Sequence, residues 1–510
     1  MASSDYVSAT TALLILFGAA ILFFVIRGAL QTRSISDYAV GTVRFSPITV
    51  GLSLAASITS SATFIINPGF IAIYGLSGVL AMGILLPIGV FISLVILTRN
   101  FRTHGTSVKA LTMAQWIGKR YGSRGYALFF AFLSLLLLTF IVLICVGMTK
   151  VLSKALNAEE LPVLIGLVVF IFGYMMFGGA NSMVYTNTIQ ASLMLVVAFI
   201  LLGSGYEHFS EGVQGFVDRL GAIDPLLIGA TNPESFLFRD AFEIGFCSLV
   251  IGVAIVCQPH ILTKSLLLKD DRDVNRYLIT GIAVEAIFFL VVIVGLYARL
   301  EFPDLQVSGQ PLKMDGIIPA YVVSEFPVYI GLVVILGLLS AGLSTLEGLI
   351  QSLSTTVTSD IIEPLAGKWL GAADSRAKRL VHINKIVIGL LGVSAVLLSY
   401  DQLVDPDLSV GIFAQNGVYG YFSAAFVPVL FGVFLRDVPR AAPVAASVVA
   451  VIVHFGVYYG RIGKYMQADV QNPAVSATFA ILASLFTGLL IVLWWKQQRG
   501  TQPKRPISAA

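Results

Sequence analysis

Leu52–Phe70 reads LSLAASITSSATFIINPGF. The run is apolar enough for the bilayer interior, yet it carries Ser53, Ser57, Thr59, Ser60, Ser61 and Thr63, followed by Asn67-Pro68-Gly69. Hydroxyls, small residues and a helix-breaking tripeptide at bilayer depth predict an unwound helix. Unwinding frees carbonyls, which in hydrocarbon are costly unless something binds them. A second patch of this kind, Ser340-Ala341-Gly342-Leu343-Ser344-Thr345, lies far downstream. Two such patches inside apolar spans point to a cation and solute site at the midplane of a secondary transporter. The alternative is close helix packing through small residues, with Ser and Thr bonding back to the preceding turn.

Composition sets the class. The chain has 510 residues, 57% hydrophobic and only 12% charged, with a mean hydropathy of +0.89. Soluble domains carry about 25% charged residues, so this is an all-α polytopic membrane protein. The three cysteines, Cys145, Cys247 and Cys257, lie in or at the ends of apolar spans and form neither a disulfide framework nor a metal spacing. The five histidines form no ligand cluster. No organic cofactor, nucleic-acid partner or catalytic constellation is expected. The first apolar run is long and ends in basic residues, which reads as a retained helix.

At about 20 apolar residues per crossing, the chain divides into about thirteen spans. They lie near 8–30, 46–71, 76–98, 125–149, 162–181, 188–206, 241–258, 277–298, 326–352, 381–400, 407–434, 441–459 and 474–495. The basic residues orient them. With the N-terminus outside, the inner segments hold Arg33 and Arg44; Arg99, Arg102, Lys109, Lys119, Arg120 and Arg124; Lys264, Lys269, Arg272 and Arg276. They also hold Lys368, Arg376, Lys378 and Arg379; Arg436 and Arg440; and Lys496, Arg499, Lys504 and Arg505. That is about 22 inside against about 8 outside, a strong positive-inside bias. The expectation is a plasma (inner) membrane protein, N-terminus outside and C-terminus cytoplasmic, with acidic outer loops at 207–240 and 299–325.

Four segments, in order, resemble the sodium:solute symporter family of sodium-coupled sugar, proline, pantothenate and monocarboxylate permeases. The first is the early helix from Leu52 to the Pro-Gly at Gly69. The second is Gly178-Gly179 with Tyr185-Thr186-Asn187-Thr188-Ile189-Gln190, similar to the family's GG…TDxxQ. The third is Gln258-Pro259-His260-Ile261-Leu262. The fourth is Ser340–Thr345 followed by Ser354–Asp360. The resemblance spans residues 35 to 440. It implies inverted five-helix repeats with discontinuous helices (LeuT-like): 46–206 and 241–434 as the repeats and 441–495 as two peripheral helices, all in one membrane domain, 1–510. The first helix of each repeat ends at a proline, Pro68 or Pro259, as broken helices in corresponding positions do.

The resemblance also implies Na+ as coupling ion, held by Ala56 and Thr59 from the broken helix and by Ala341, Ser344 and Thr345 from a later one. The spacing agrees, since residues three and four apart share a helix face. Two departures stand out. The family's optional second cation site uses the Asp of TDxxQ, here Asn187. Glu347 instead supplies a carboxylate where such members tend to have Ser. An ionisable residue inside a span points to function, so Glu347 and Asn187 are expected to mark a second cation or proton site, or else Glu347 supports packing. Substrate-pocket candidates are Ser60, Ser61 and Thr63; Phe246, Leu249 and Val253; and Gln415, Asn416, Tyr419 and Tyr421, a few polar groups among apolar walls.

Proline permeases carry Trp and Tyr where this chain has Ile251 and Ile255. The run Gly295–Arg299, Phe302-Pro303-Asp304 and Ile317-Ile318-Pro319 resembles the pantothenate and monocarboxylate branch. The expected function is therefore sodium-coupled uptake of a small organic acid by a monomer in the lipid bilayer. The alternatives are a proton-coupled or proline-like symporter, and a membrane sensor working with a separate kinase, because the chain ends about fifteen residues after its last span and carries no kinase of its own.

Overall fold

The computed structural model describes residues 4–41, 45–307, 309–367, 373–404 and 409–500. Arg44, Lys368, Lys504 and Arg505 of the orientation argument lie outside the described residues, as do 407 and 408 at the start of one expected span.

The described residues are almost wholly helical; one short strand pair joins Gln306–Val307 to Gln310–Pro311 in an outer loop. Leaving aside the short connecting helices, the long apolar helices, numbered along the chain, are α1 (Val7–Ala29), α2 in two pieces, α2a (Pro47–Ile58) and α2b (Ala62–Tyr74), α3 (Leu76–Ser107), α4 (Arg124–Leu156) and α5 (Glu160–Met175). Then come α6 (Ala180–Ser204), α7a (Phe242–Ile255) with α7b (Pro259–Leu267), α8 (Asp271–Glu301), α9 (Val328–Ala366), α10 (Arg376–Val404), α11 (Val410–Phe434), α12 (Ala441–Tyr459) and α13 (Pro473–Gln498). Among the described residues ten are long and apolar enough to cross a membrane, or up to twelve if each bent pair counts as one span. The remaining one, α5, has 16 residues, or about 24 Å at 1.5 Å per residue. That is short of a hydrocarbon core about 30 Å thick.

Burial ranks the helices. In α9 and α11, 78% and 83% of the most apolar window is inside the protein, against 17% in α1. α9 and α11 therefore form the centre, and α1 lies at the lipid face with Ile15, Leu16 and Phe23 exposed.

Both broken helices bend sharply, by 56° in α2 and 58° in α7. α2a starts cleanly, with Pro47 in its first turn and the Ser46 hydroxyl accepting from Thr49 N–H. Its ladder ends at Thr59 N–H to Ala55 O, and Thr59 itself is extended (φ −80, ψ 121). Ser60 then caps α2b: its hydroxyl accepts from Ala62 N–H and its carbonyl from Thr63 N–H.

The break thus falls at Thr59–Ser61, seven to nine residues before the expected Pro68. Pro68 sits where a π-helical turn, Ala62–Ile66, passes into α-helix. Proline is tolerated in the first turn of a helix, where its missing N–H is not needed. In α7 the expectation holds, since α7b begins at Pro259 and Gln258 is extended.

Glycine sets two close approaches. A Cβ on Gly252 of α7a would lie 2.2 Å from Leu86 O of α3, and one on Gly295 of α8 would lie 2.1 Å from Pro68 O. These contacts press α3 and α8 against the broken helices.

One basic residue is not where the charge count put it. Lys264 belongs to α7b, not to an inner loop, and is 3% exposed. The signal was present in the sequence: the apolar run continues past Gln258 through Ile261-Leu262 to Leu266-Leu267-Leu268.

Candidate functional site

The α2 break faces the middle of α9. Ser344 Oγ donates to Ala56 O at 2.6 Å and lies 3.2 Å from Ala341 O. Thr345 Oγ1 donates to Thr59 O at 2.8 Å and lies within 3.4 Å of the carbonyls of Ala56, Ser57 and Ala341. Ala56, Thr59, Ala341, Ser344 and Thr345 are all fully buried. The two hydroxyls hold two protons between them and face four carbonyls. Acceptor oxygens in excess of protons are the environment a hard cation takes. Sequence spacing alone placed three of the five residues on one face; the unwinding of α2 supplies the other two. Beneath the break, Thr59 Oγ1 donates to Glu285 Oε2 of α8 at 2.8 Å, and Glu285 is fully buried.

A second polar cluster lies one helical turn along α9. Glu347, 1% exposed, accepts from four donors. Tyr174 O–H (2.6 Å) and Gln190 Nε2 (3.3 Å) reach Oε1, and the Thr186 hydroxyl (2.8 Å) reaches Oε2. Asn187 completes the set in the one amide orientation that pairs both of its ends: Nδ2 donates to Glu347 Oε2 at 3.1 Å, and Oδ1 accepts from Lys264 Nζ at 2.9 Å. Lys264 Nζ also donates to Ser53 Oγ at 2.9 Å. Tyr174 and Lys264 were not singled out from the sequence as site residues, because each comes from a helix distant in the chain.

A cavity of about 110 Å³ opens beside the break. Its polar lining is Ser60, Thr63 and Asn67 of α2, Gln258 at the α7 break, and Gln415 and Tyr419 of α11. Gln258 Nε2 bonds Ile255 O, while Oε1 is buried without a partner. Of the expected pocket residues, Ser60, Thr63, Gln415 and Tyr419 meet here, and the others do not line the cavity. Phe246 and Leu249 point outward from α7a, 44% and 36% exposed. The Val253 backbone lies against Gly89 of α3. Ser61 turns toward Gly147 and Gly342. Asn416 donates to Tyr459 O–H, and Tyr421 packs edge-on against Phe130. Each helix presents only one face to the cavity, so neighbouring residues on the same helix turn away from it. A larger groove, about 630 Å³, runs between α1, α4 and α5. Its lining, led by Leu14, Phe17 and Phe170, has Thr11 as its one hydroxyl and no charged group. It offers a solute nothing to orient it.

Two helices broken near the middle of their spans, an oxygen shell at one break and a cavity beside both with a few polar groups in an apolar wall define a secondary transporter of the discontinuous-helix class. The chain belongs to the sodium:solute symporter family, whose model matches residues 38–450. It is 26% identical over 414 residues to the sodium/pantothenate symporter of Haemophilus influenzae, covering 80% of this chain and 81% of that protein. With the sodium/pantothenate symporter of Escherichia coli it shares 26% over 444 residues, covering 84% and 86%. The fold matches the substrate-bound outward-open structure of a sodium-coupled sialic acid symporter with a TM-score of 0.75 at 18% identity, over 95% of this chain and 97% of that one. The protein is thus a multi-span sodium-coupled solute symporter rather than an enzyme.

Proposed function

We propose that the protein takes up a small carboxylic acid, a short monocarboxylate or a pantothenate-like acid, together with Na+. The observation that carries this is the composition of the cavity. Ala62 and Thr63, at the N-terminal end of α2b, line it, and no Asp, Glu, Lys or Arg does. The N-terminal end of a half-helix is the positive end of its dipole and suits a carboxylate. An amino acid's ammonium finds no counter-charge here, which weighs against a proline-like solute. The unpartnered Gln258 Oε1 is an acceptor for a solute hydroxyl. The two relatives named as pantothenate symporters support the class of solute.

In this reading Na+ is held by the carbonyls of Ala56, Thr59 and Ala341 and the hydroxyls of Ser344 and Thr345. Binding draws the α2 break against α9 and orders the adjacent cavity wall at Ser60 and Thr63, so ion and solute stabilise the same arrangement. That shared stabilisation is what couples them. Glu347 and Asn187 mark a second cation position, one turn further along α9. Residues 46–206 and 241–434 form the inverted repeats, and 441–495 the peripheral pair. The protein works as a monomer in the plasma membrane, with its N-terminus outside and its C-terminus in the cytoplasm.

The test is uptake into proteoliposomes with acetate, pyruvate, lactate, pantothenate, proline and glucose as solutes. Sodium-dependent uptake of a carboxylic acid lacking an amino group, inhibited by the other acids and not by proline, is the expected result. Sodium-dependent uptake of proline or glucose alone would overturn the assignment of the solute.

A further inference from the structure

We propose that Lys264 is a tethered cation occupying the second cation position of this symporter, so that the protein binds one sodium ion where the Glu347 site would otherwise admit another. The inference rests on the reading above, in which Na+ lies at Ala56, Thr59, Ala341, Ser344 and Thr345, and it goes on to say what fills the neighbouring position.

All four hydrogen-bond partners of Glu347 can donate: Tyr174, Thr186, Gln190 and Asn187. An ionised carboxylate accepts only, and its two oxygens offer about four lone-pair sites. Glu347 has the full set of donors that an anion takes. A buried anion also needs a compensating charge, because neutral donors do not cancel its field across a low-dielectric interior.

The ion pairs within 4.0 Å among the described residues involve Arg102, Lys150, Arg239 and Arg376, none of them at Glu347. The cation that answers Glu347 is Lys264, held one residue away: Asn187 bridges the two, giving its Nδ2 to the carboxylate and its Oδ1 to the ammonium.

The oxygens around Lys264 Nζ are those a small cation would use. They are the Ser53 hydroxyl of α2a and the Asn187 amide oxygen of α6, with the Glu347 carboxylate behind. α2a and α9 are also the two helices that build the first sodium shell. The ammonium comes from α7b, the far half of the second broken helix, four residues beyond His260. It therefore ties the α7 break directly to α2a and α6, and through the Asn187 amide to Glu347 of α9.

Asn at position 187 fits this arrangement better than a carboxylate. A second carboxylate there would leave a net negative charge with a single ammonium to balance it. The neutral amide donates to Glu347 and accepts from Lys264 at once.

The experiment counts radioactive sodium bound per purified full-length chain. Wild type is expected to bind one ion with a Hill coefficient of one, and the Ser344→Ala/Thr345→Ala double variant to lose it. Lys264→Met removes the ammonium and leaves Glu347 uncompensated, so it is expected to bind two ions with a Hill coefficient rising toward two. Lys264→Arg restores a cation, and Lys264→Met/Glu347→Gln removes both charges; each is expected to bind one. Two ions bound to wild type would overturn the proposal while leaving the first sodium shell intact. So would a folded Lys264→Met variant that still binds one. If Lys264→Met does not fold, the wild-type count and the charge-neutral double variant still decide. Two ions in either would overturn the proposal, and one in both supports it. Wild type that binds no sodium, or binding that survives loss of both hydroxyls, would instead sink the reading of the first site.

Discussion

At the scale of single residues, Thr59 does two jobs with two oxygens. Its carbonyl faces Thr345, and its hydroxyl donates to Glu285. The second contact fixes the extended conformation that exposes the first. Glu285→Ala removes the anchor and is expected to raise the sodium needed for half-maximal binding severalfold. Glu285→Gln keeps an acceptor oxygen and is expected to stay near wild type. Sodium titration of both variants checks this, and equal behaviour would show that Glu285 does not position the break. Little of this pairing was legible in the sequence. Glu285 could be seen as an ionisable residue in a span, but its partner lies 226 positions away. Two other buried titratable side chains, Glu243 and His454, have partners close by in the fold: Glu243 pairs with Arg239 and Asn472, and His454 bonds Asn416 O and Ser476.

At the scale of helices, close glycine contacts hold the broken pieces in place. Gly252 of α7a lies against Leu86 O of α3, where any Cβ collides with backbone. Backbone cannot swing aside as a flexible side chain can, so Gly252→Ala is expected to destabilise the protein by about 1–3 kcal/mol. A lowered thermal midpoint in detergent would show it. Gly166 of α5 has open space around it, and Gly166→Ala is the control expected to leave the midpoint unchanged. The existence of each helix was readable because twenty apolar residues have few other fates. The place of the α2 break was not. Proline is the conspicuous breaker, but the π turn at Ala62–Ile66 accommodates Pro68. The chain opens instead where Thr345 of α9 takes up the freed carbonyls. Unwinding is decided by the partner helix as much as by the local residues.

At the scale of the whole molecule, the order of four motifs and the count of spans made the family legible. The assembly of the second polar cluster was not, since Tyr174, Asn187, Lys264 and Glu347 come from four helices. Orientation is open to a direct check. Gly212 and Thr106 are both exposed, the first in the loop assigned outside and the second at the inner end of α3. A cysteine at Gly212 is expected to react with an impermeant thiol reagent in whole cells, and one at Thr106 is not; the reverse pattern would invert the topology. The central claim is that the α2 break and α9 together hold the coupling sodium. The measurement that tests it most directly is solute uptake into proteoliposomes as a function of sodium, for wild type and for Ser344→Ala and Thr345→Ala. Each variant loses one oxygen while the carbonyls remain, so half-maximal sodium is expected to rise about tenfold, roughly 1.4 kcal/mol, with protein levels unchanged. Sodium curves for both variants that superimpose on wild type would contradict the account.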